Sequence, residues 1–195
     1  MSLIVVCGPM KSSKTSTFLH KLSTYADVNH CEVLVVGHPL DTRNIAQGIS
    51  SHSSMYQGLS KRFKFISSDK LSVVNVGKYH MIGVDEAQFY GKEDLVNTIK
   101  MWIKSGIHVI CSGLNGSHEM DNFGYIHKLL PMSEDFIKLN AFCEVCNNEL
   151  LQNNIPITPL NQTPAPFTKK IGGTADLVEI GDDKYISVCR KHYHS

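Results

Sequence analysis

A lysine and a hydroxyl, Lys14 and Thr15, end the run Gly8-Pro9-Met10-Lys11-Ser12-Ser13-Lys14-Thr15. Ahead of it lies the apolar stretch Leu3 to Cys7; behind it Phe18, Leu19, Leu22 and Tyr25 recur at helical spacing. Strand, loop and helix in that order describe a phosphate-binding loop. In such a loop, backbone N–H groups and a helix N-terminus cradle phosphate oxygens. Lys14 would neutralise the outer phosphates and the Thr15 hydroxyl would ligate Mg²⁺. Ser13 stands where the full motif has its second glycine. The competing reading is a turn before an ordinary surface helix. A second signal is the acidic pair Asp85-Glu86, which follows the apolar run Met81 to Val84. A carboxylate there suits the magnesium-holding position of a phosphoryl-transfer site; a helix N-cap is the alternative for Asp85. The third signal is Cys143-x-x-Cys146 with Cys189-x-x-His192. Three thiolates and one imidazole satisfy tetrahedral Zn²⁺, and a closed set of four is structural. Reduced buried cysteines are the alternative reading, and His194 competes with His192 as fourth ligand.

These groups need elements to hold them. Cys31 to Val36 reads as a strand closed by Gly37-His38-Pro39, and its uniformly apolar core suits a parallel strand covered on both faces. Phe63 to Ile66, Met81 to Val84 and Val109 to Cys111 are further strand candidates. Leu95, Val96, Ile99, Trp102 and Ile103 form a helical apolar face that Gly106 ends, with Trp102 as core. Alternating strands and helices predict an α/β fold: a P-loop NTPase-like parallel sheet with helices on both faces, over residues 1–140. The loops Asp41-Thr42-Arg43 and Ser112 to Ser117 would then share the ligand-binding edge with Gly8 to Thr15. The Ser-rich residues 44–62, with His52 inside them, read as a loop. Residues 141–195 read as a small zinc-bound β-hairpin or lid domain. The Pro-rich stretch Ile155 to Pro166 precedes strand candidates at Thr168 to Ile171, Leu177 to Ile180 and Tyr185 to Val188, with a turn at Gly181-Asp182-Asp183.

Lys plus Arg number 19 against 18 Asp plus Glu over 195 residues, a formal net charge of +1. That balance argues against nucleic acid as the main partner. No apolar run approaches a membrane span, and Leu3 already begins a core strand, so neither membrane insertion nor a signal peptide is expected. Six cysteines in such a chain point to metal or free thiols in a reducing, cytoplasmic setting. Cys7, Cys31 and Cys111 are expected in strands as small buried hydrophobes.

Taken together, the pieces resemble the type II thymidine kinases, a family of cellular, bacterial and large-DNA-virus enzymes. The resemblance runs through Gly8-Pro9-Met10 to Lys14-Thr15, Asp41-Thr42-Arg43, Val84-Asp85-Glu86-Ala87-Gln88-Phe89 and Gly113-Leu114-Asn115-Gly116. It continues through Phe123-Gly124, Lys138-Leu139-Asn140-Ala141, Cys143 to Cys146, Thr168-Lys169-Lys170 and Asp183-Lys184-Tyr185 to His192. It implies transfer of the ATP γ-phosphoryl group to the 5′-hydroxyl of thymidine, with Glu86 as the base. It implies ATP and phosphate contacts from Gly8, Pro9, Met10, Lys11, Ser12, Ser13, Lys14, Thr15, Arg43, Asp85 and Gln88, with Mg²⁺ on Thr15 and Asp85. It implies a nucleoside site of Met10, Phe89, Leu114, His118, Phe123, Thr168, Leu177, Ile180 and Tyr185. There a tail loop from about Thr168 to Tyr185 closes over the base, and structural Zn²⁺ on Cys143, Cys146, Cys189 and His192 anchors that loop. The family also implies a homotetramer and feedback inhibition by thymidine triphosphate.

The departures are Ser13 for glycine, Lys11 where an aromatic or other residue is usual, His118 at a place commonly aromatic, Asn115 for Asp, and His192 for a fourth cysteine. The Cys146-to-Thr168 spacing is longer than is usual in the family. These bear on rate and nucleoside preference more than on fold. Two other readings compete with the kinase. One is a non-catalytic nucleotide-binding protein with a decayed phosphate loop. The other is a zinc-ribbon nucleic-acid binder, which the balanced charge and the lack of an aromatic-basic stripe disfavour.

Overall fold

The computed structural model describes residues 1–41, 62–173 and 184–195. Arg43, Leu177 and Ile180, with residues 44–61 and the turn at 181–183, lie outside the described residues.

Six strands form one parallel sheet: β1 (Leu3–Gly8), β2 (Val33–Gly37), β3 (Phe63–Ser67), β4 (Met81–Val84), β5 (His108–Leu114) and β6 (Asp135–Lys138). Their spatial order is β3-β2-β4-β5-β1-β6. Alternate residues of each strand feed opposite faces, as the two-residue period of a strand demands. Val6, Val33, Val35, Met81 and Ile110 pack under helix α1 (Lys14–Asn29) through Phe18, Leu19, Leu22 and Ala26. Val5, Cys7, Leu34, Val36, Ile82, Val84, Val109 and Cys111 pack on the other face against Leu95, Ile99 and Trp102 of α2 (Lys92–Lys104). Gly83 lets α1 lie close: a Cβ there would fall 2.6 Å from the Phe18 ring and 2.7 Å from Leu22. Trp102 is buried in the core as its spacing predicts.

Strand β6 has no counterpart among the sequence-derived strands. It is an edge strand beside β1, largely exposed, so it carries no apolar run. Its register is fixed by main-chain pairing and by the Glu134 carboxylate, which accepts the Leu3 N–H at 2.6 Å. Cys7 and Cys111 are buried strand residues, and burial pushes the Cys7 thiol up to about 11. Cys31 departs from expectation: it precedes β2 and is only half-buried. No helix among the described residues is long and apolar enough to cross a membrane.

The tail adds two antiparallel pairs. β7 (Ala141–Phe142) pairs with β8 (Pro164–Ala165), and β9 (Phe167–Lys170) pairs with β10 (Tyr185–Val188). The end of the Pro-rich stretch thus closes a small ladder. Between them α3 (Glu144–Gln152) starts inside the Cys143-x-x-Cys146 turn, and α4 (Arg190–Tyr193) follows Cys189. The tail has its own small core of Ala141, Cys143, Ala165, Val188 and Cys189, flanked by Val145, Phe167, Ile186 and Tyr193.

Candidate active site

The loop after β1 turns into α1 at Ser13, whose backbone is left-handed at φ 60° and ψ 27°. Lys11 is also left-handed, at φ 59°. The Ser12 hydroxyl and the Lys14 ammonium both donate to the Pro9 carbonyl, at 2.8 and 2.6 Å, so the lysine lies folded into the loop. The first helical bond runs from Thr17 N–H to Ser13 O at 3.0 Å. The loop therefore delivers its end to a helix N-terminus, a setting suited to an anion. Thr15 is half-buried in the first turn.

Asp85 and Glu86 follow β4, on the same sheet edge, with only β5 between β4 and β1. Both are buried, at 5% and 6% exposure. Asp85 accepts the Glu86 N–H at 3.0 Å; the short helical turn that follows has Glu86 as its N-cap with no side-chain capping bond, so Asp85 is not the cap. Gln88 is equally buried and has both ends of its amide engaged. Its Oε1 accepts the Leu114 N–H at 3.0 Å, which obliges Nε2 to face Glu86, 2.5 Å from the carboxylate. Glu86 is therefore held in one orientation by a group that is itself fixed to β5. Gly124, at φ 63°, is what lets the following loop pass: a Cβ there would lie 2.0 Å from the Gln88 carbonyl.

Aromatic rings collect at this edge. Phe89 meets Phe123 edge-on with centroids 5.9 Å apart, and His38 packs against Phe89 at 5.6 Å and Tyr90 at 4.9 Å. Burial lowers the His38 pKa, against a smaller opposing pull from the Asp69 charge. From the tail, Tyr185 approaches His118 at 6.1 Å, and the Tyr193 hydroxyl donates to the His118 carbonyl at 2.6 Å. Met10, His118 and Phe123 sit in loops, Phe89 in a short helical turn and Leu114 at the last position of β5, all at the carboxyl ends of the adjacent strands β4, β5 and β1, and Thr168 and Tyr185 belong to the tail hairpin that reaches them.

The structure brings Cys143, Cys146, Cys189 and His192 together, with their ligand atoms within 4.8 Å of one another. The Nδ1 atom of His192 lies 3.4 Å from Cys143 Sγ, 3.4 Å from Cys146 Sγ and 3.6 Å from Cys189 Sγ; Cys146 and Cys189 are 3.9 Å apart. Zinc bonds of about 2.3 Å to sulfur and about 2.0 Å to nitrogen at tetrahedral angles imply edges of roughly 3.5 to 3.8 Å, so the four residues could hold a zinc ion. The imidazole Nε2 is turned to Glu149 Oε1 at 3.1 Å, the outer partner that leaves Nδ1 for metal. His194 is exposed and stands outside the cluster.

Sequence reasoning missed three side chains at this site. Glu144, Glu149 and Ser187 act on partners far away in the chain: Lys11, His192 and Met10. Nothing in their immediate neighbours marks them.

A phosphate-type loop, a buried acidic pair and an aromatic-lined edge on one parallel sheet define a P-loop nucleotide-binding protein of the phosphotransferase kind. The thymidine kinase family model matches residues 1–193, and the chain belongs to that family. A thymidine kinase from Amsacta moorei entomopoxvirus is 31% identical, covering 100% of this chain and 99% of its own length. The cytosolic thymidine kinase of Gallus gallus is 29% identical over 97% of this chain and 75% of its own. Among solved structures, the flagellar accessory protein FlaH of Methanocaldococcus jannaschii aligns over 70% of each chain with a TM-score of 0.48 and 16% identity, too distant to bear on function.

Proposed function

We propose that this chain is an ATP-dependent thymidine kinase that moves the γ-phosphoryl group onto the nucleoside 5′-hydroxyl. The observation that carries the reading is the placement of a buried, oriented Glu86 two strands from the Gly8–Thr15 loop. Two strand spacings are about 9.5 Å, room for a phosphoryl group and the hydroxyl that attacks it. The loop amides and Lys14 hold the phosphates, and Arg43 joins them. Thr15 and Asp85 offer the hard oxygen donors that Mg²⁺ takes, and the ion would offset charge on the phosphate oxygens. Glu86 accepts the 5′-hydroxyl proton as the oxygen bonds to phosphorus and ADP departs. Gln88 keeps the accepting carboxylate aimed. Phe89, Phe123, Leu114, His118 and Met10 enclose the base, with Thr168, Tyr185, Leu177 and Ile180 closing it from the tail. In this reading residues 1–140 are the nucleotide-binding domain and 141–195 a lid domain whose Cys143, Cys146, Cys189 and His192 bind structural Zn²⁺.

The same reading carries a cytoplasmic homotetramer inhibited by thymidine triphosphate, checked by light scattering and by inhibition kinetics. The central test is incubation of the purified protein with γ-labelled ATP and a panel of deoxynucleosides. Label in thymidine monophosphate is the expected result. ATP binding with no transfer to any nucleoside would instead favour a non-catalytic nucleotide-binding protein, the reading that the left-handed Ser13 leaves standing.

A further inference from the structure

The phosphate loop is gripped from outside itself. Thr168 of β9 and Ser187 of β10 are directly opposed in the tail hairpin. Between them they take both main-chain groups of Met10: the Met10 N–H donates to Thr168 Oγ1 at 3.1 Å, and the Ser187 hydroxyl donates to the Met10 carbonyl at 2.6 Å. The next residue is held as well. The Lys11 ammonium sits 2.8 and 3.0 Å from the two carboxylate oxygens of Glu144. Glu144 also accepts the Ser187 N–H at 2.8 Å, so the three contacts form one connected frame. Glu144 lies inside the Cys143-x-x-Cys146 turn, and Ser187 is two residues before Cys189. Ser187 is fully buried and Thr168 nearly so.

This frame answers a difficulty within the loop. Lys11 and Ser13 both have left-handed backbones without being glycine. Such residues persist only where surroundings over-determine them. Inside the loop, the Ser12 and Lys14 side chains both bond the one carbonyl of Pro9. Among the described residues, the tail adds bonds to both Met10 and Lys11.

We propose that Ser187 and Glu144 are positioning residues for nucleotide phosphate binding, holding Met10 and Lys11 so that the loop keeps its anion-receiving shape. The proposal rests on the reading that Gly8 to Thr15 binds ATP phosphates. It gives the tail a second task besides closing over the nucleoside. The two main-chain bonds are half-buried and dominate the frame, whereas the Lys11–Glu144 pair is exposed by 41% and 33% and adds little on its own.

The test measures Mg-ATP and thymidine dissociation constants by calorimetry, with zinc per chain, for the full-length wild type and the variants Lys14→Ala, Ser187→Ala, Glu144→Ala and Glu144→Gln. Ser187→Ala strips the hydroxyl from a half-buried carbonyl and should weaken ATP by roughly 5- to 30-fold, the cost of leaving such a group unpaired. Thymidine affinity should fall clearly less than ATP affinity, because the hydroxyl holds the Met10 main chain within the phosphate loop, whereas the base would meet only the Met10 side chain among several other walls. Glu144→Gln keeps an acceptor for the Ser187 N–H and should change ATP affinity little; Glu144→Ala loses it and should resemble Ser187→Ala. Zinc content should equal that of the wild type. If wild type does not bind ATP, or Lys14→Ala binds it equally well, the parent reading of the loop falls and takes the proposal with it. If those controls behave and Ser187→Ala binds ATP like wild type, the proposal alone is overturned. Equal weakening of ATP and thymidine means the bonds merely dock the tail, which also overturns it. Should Ser187→Ala lose zinc, Glu144→Ala decides, and unchanged ATP affinity there overturns it.

Discussion

The sheet edge and the tail hairpin meet around the same loop, yet they are stabilised differently. The sheet is covered on both faces, with Phe18, Leu19 and Leu22 on one side and Leu95, Ile99 and Trp102 on the other. The tail core is five buried residues, two of them cysteines of the candidate zinc cluster. A core of that size cannot offset the entropy of ordering a segment, and small units of this kind rely on metal or disulfides. The tail's cysteines are free thiols, so metal would be the available means. Under the proposed reading, reaction chemistry falls to the region that folds on hydrophobic burial, and closure over the nucleoside to the region that would depend on coordination.

The strongest way to break that division is at Glu86. Glu86→Gln should lower kcat by roughly 10²- to 10⁴-fold, the worth of a positioned general base. ATP affinity should stay near that of the wild type, because the carboxylate acts on the hydroxyl. A variant turning over at near-wild-type rate removes Glu86 from this role. Next comes the metal. Wild-type protein purified without chelators should carry about one zinc per chain, and Cys143→Ser should lose it. The thymidine KM should then rise by roughly ten- to a hundredfold while the circular dichroism of the sheet persists, since the tail opens first. His192→Ala should also lose zinc and His194→Ala should retain it. Loss of the sheet signal together with zinc would mean that the two regions fold as one.

Smaller effects sharpen the boundary. Tyr185→Ala removes an aromatic wall, and stacking of a base on a ring contributes about 1–3 kcal/mol. The thymidine KM should rise roughly 5- to 150-fold and the ATP KM hardly at all; equal rises would place Tyr185 outside the nucleoside site. The smallest change is expected at Ser13. A left-handed non-glycine backbone costs about 1–2 kcal/mol. Ser13→Gly should therefore bind ATP as well as wild type or tighter, by up to about tenfold, with Ser13→Ala no better than wild type. Tighter binding by wild type than by either variant would show that the Ser13 hydroxyl is a phosphate ligand.

The buried strands were legible because they are covered on both faces. Val33 to Val36 is apolar at every position, and all of it is buried. The phosphate loop and the acidic pair were legible because their chemistry needs neighbouring residues in fixed order. β6 was not, since an edge strand paired on one side needs no apolar alternation. Helix α3 was not either: it buries no residue fully, so no periodic stripe announces it. The Cys and His spacing disclosed the candidate metal cluster, but not that Glu149 orients His192 or that Glu144 reaches back to Lys11. Gln88 was visible only as part of a motif. Its support of Glu86 depends on Leu114 in another strand, a relation no local window contains.

The bond from Ser187 to Met10 joins residues 177 positions apart, and that from Met10 to Thr168 spans 158. Contacts so distant in sequence close late, because chain entropy opposes them until nearer pairings have formed. During synthesis the strand carrying the loop, β1, emerges among the first residues and can enter its sheet once β5 and β6 have followed. The grip on Met10 has to wait until β9 and β10 have emerged. A nascent polypeptide can thus own a nearly finished sheet and still lack a finished phosphate loop.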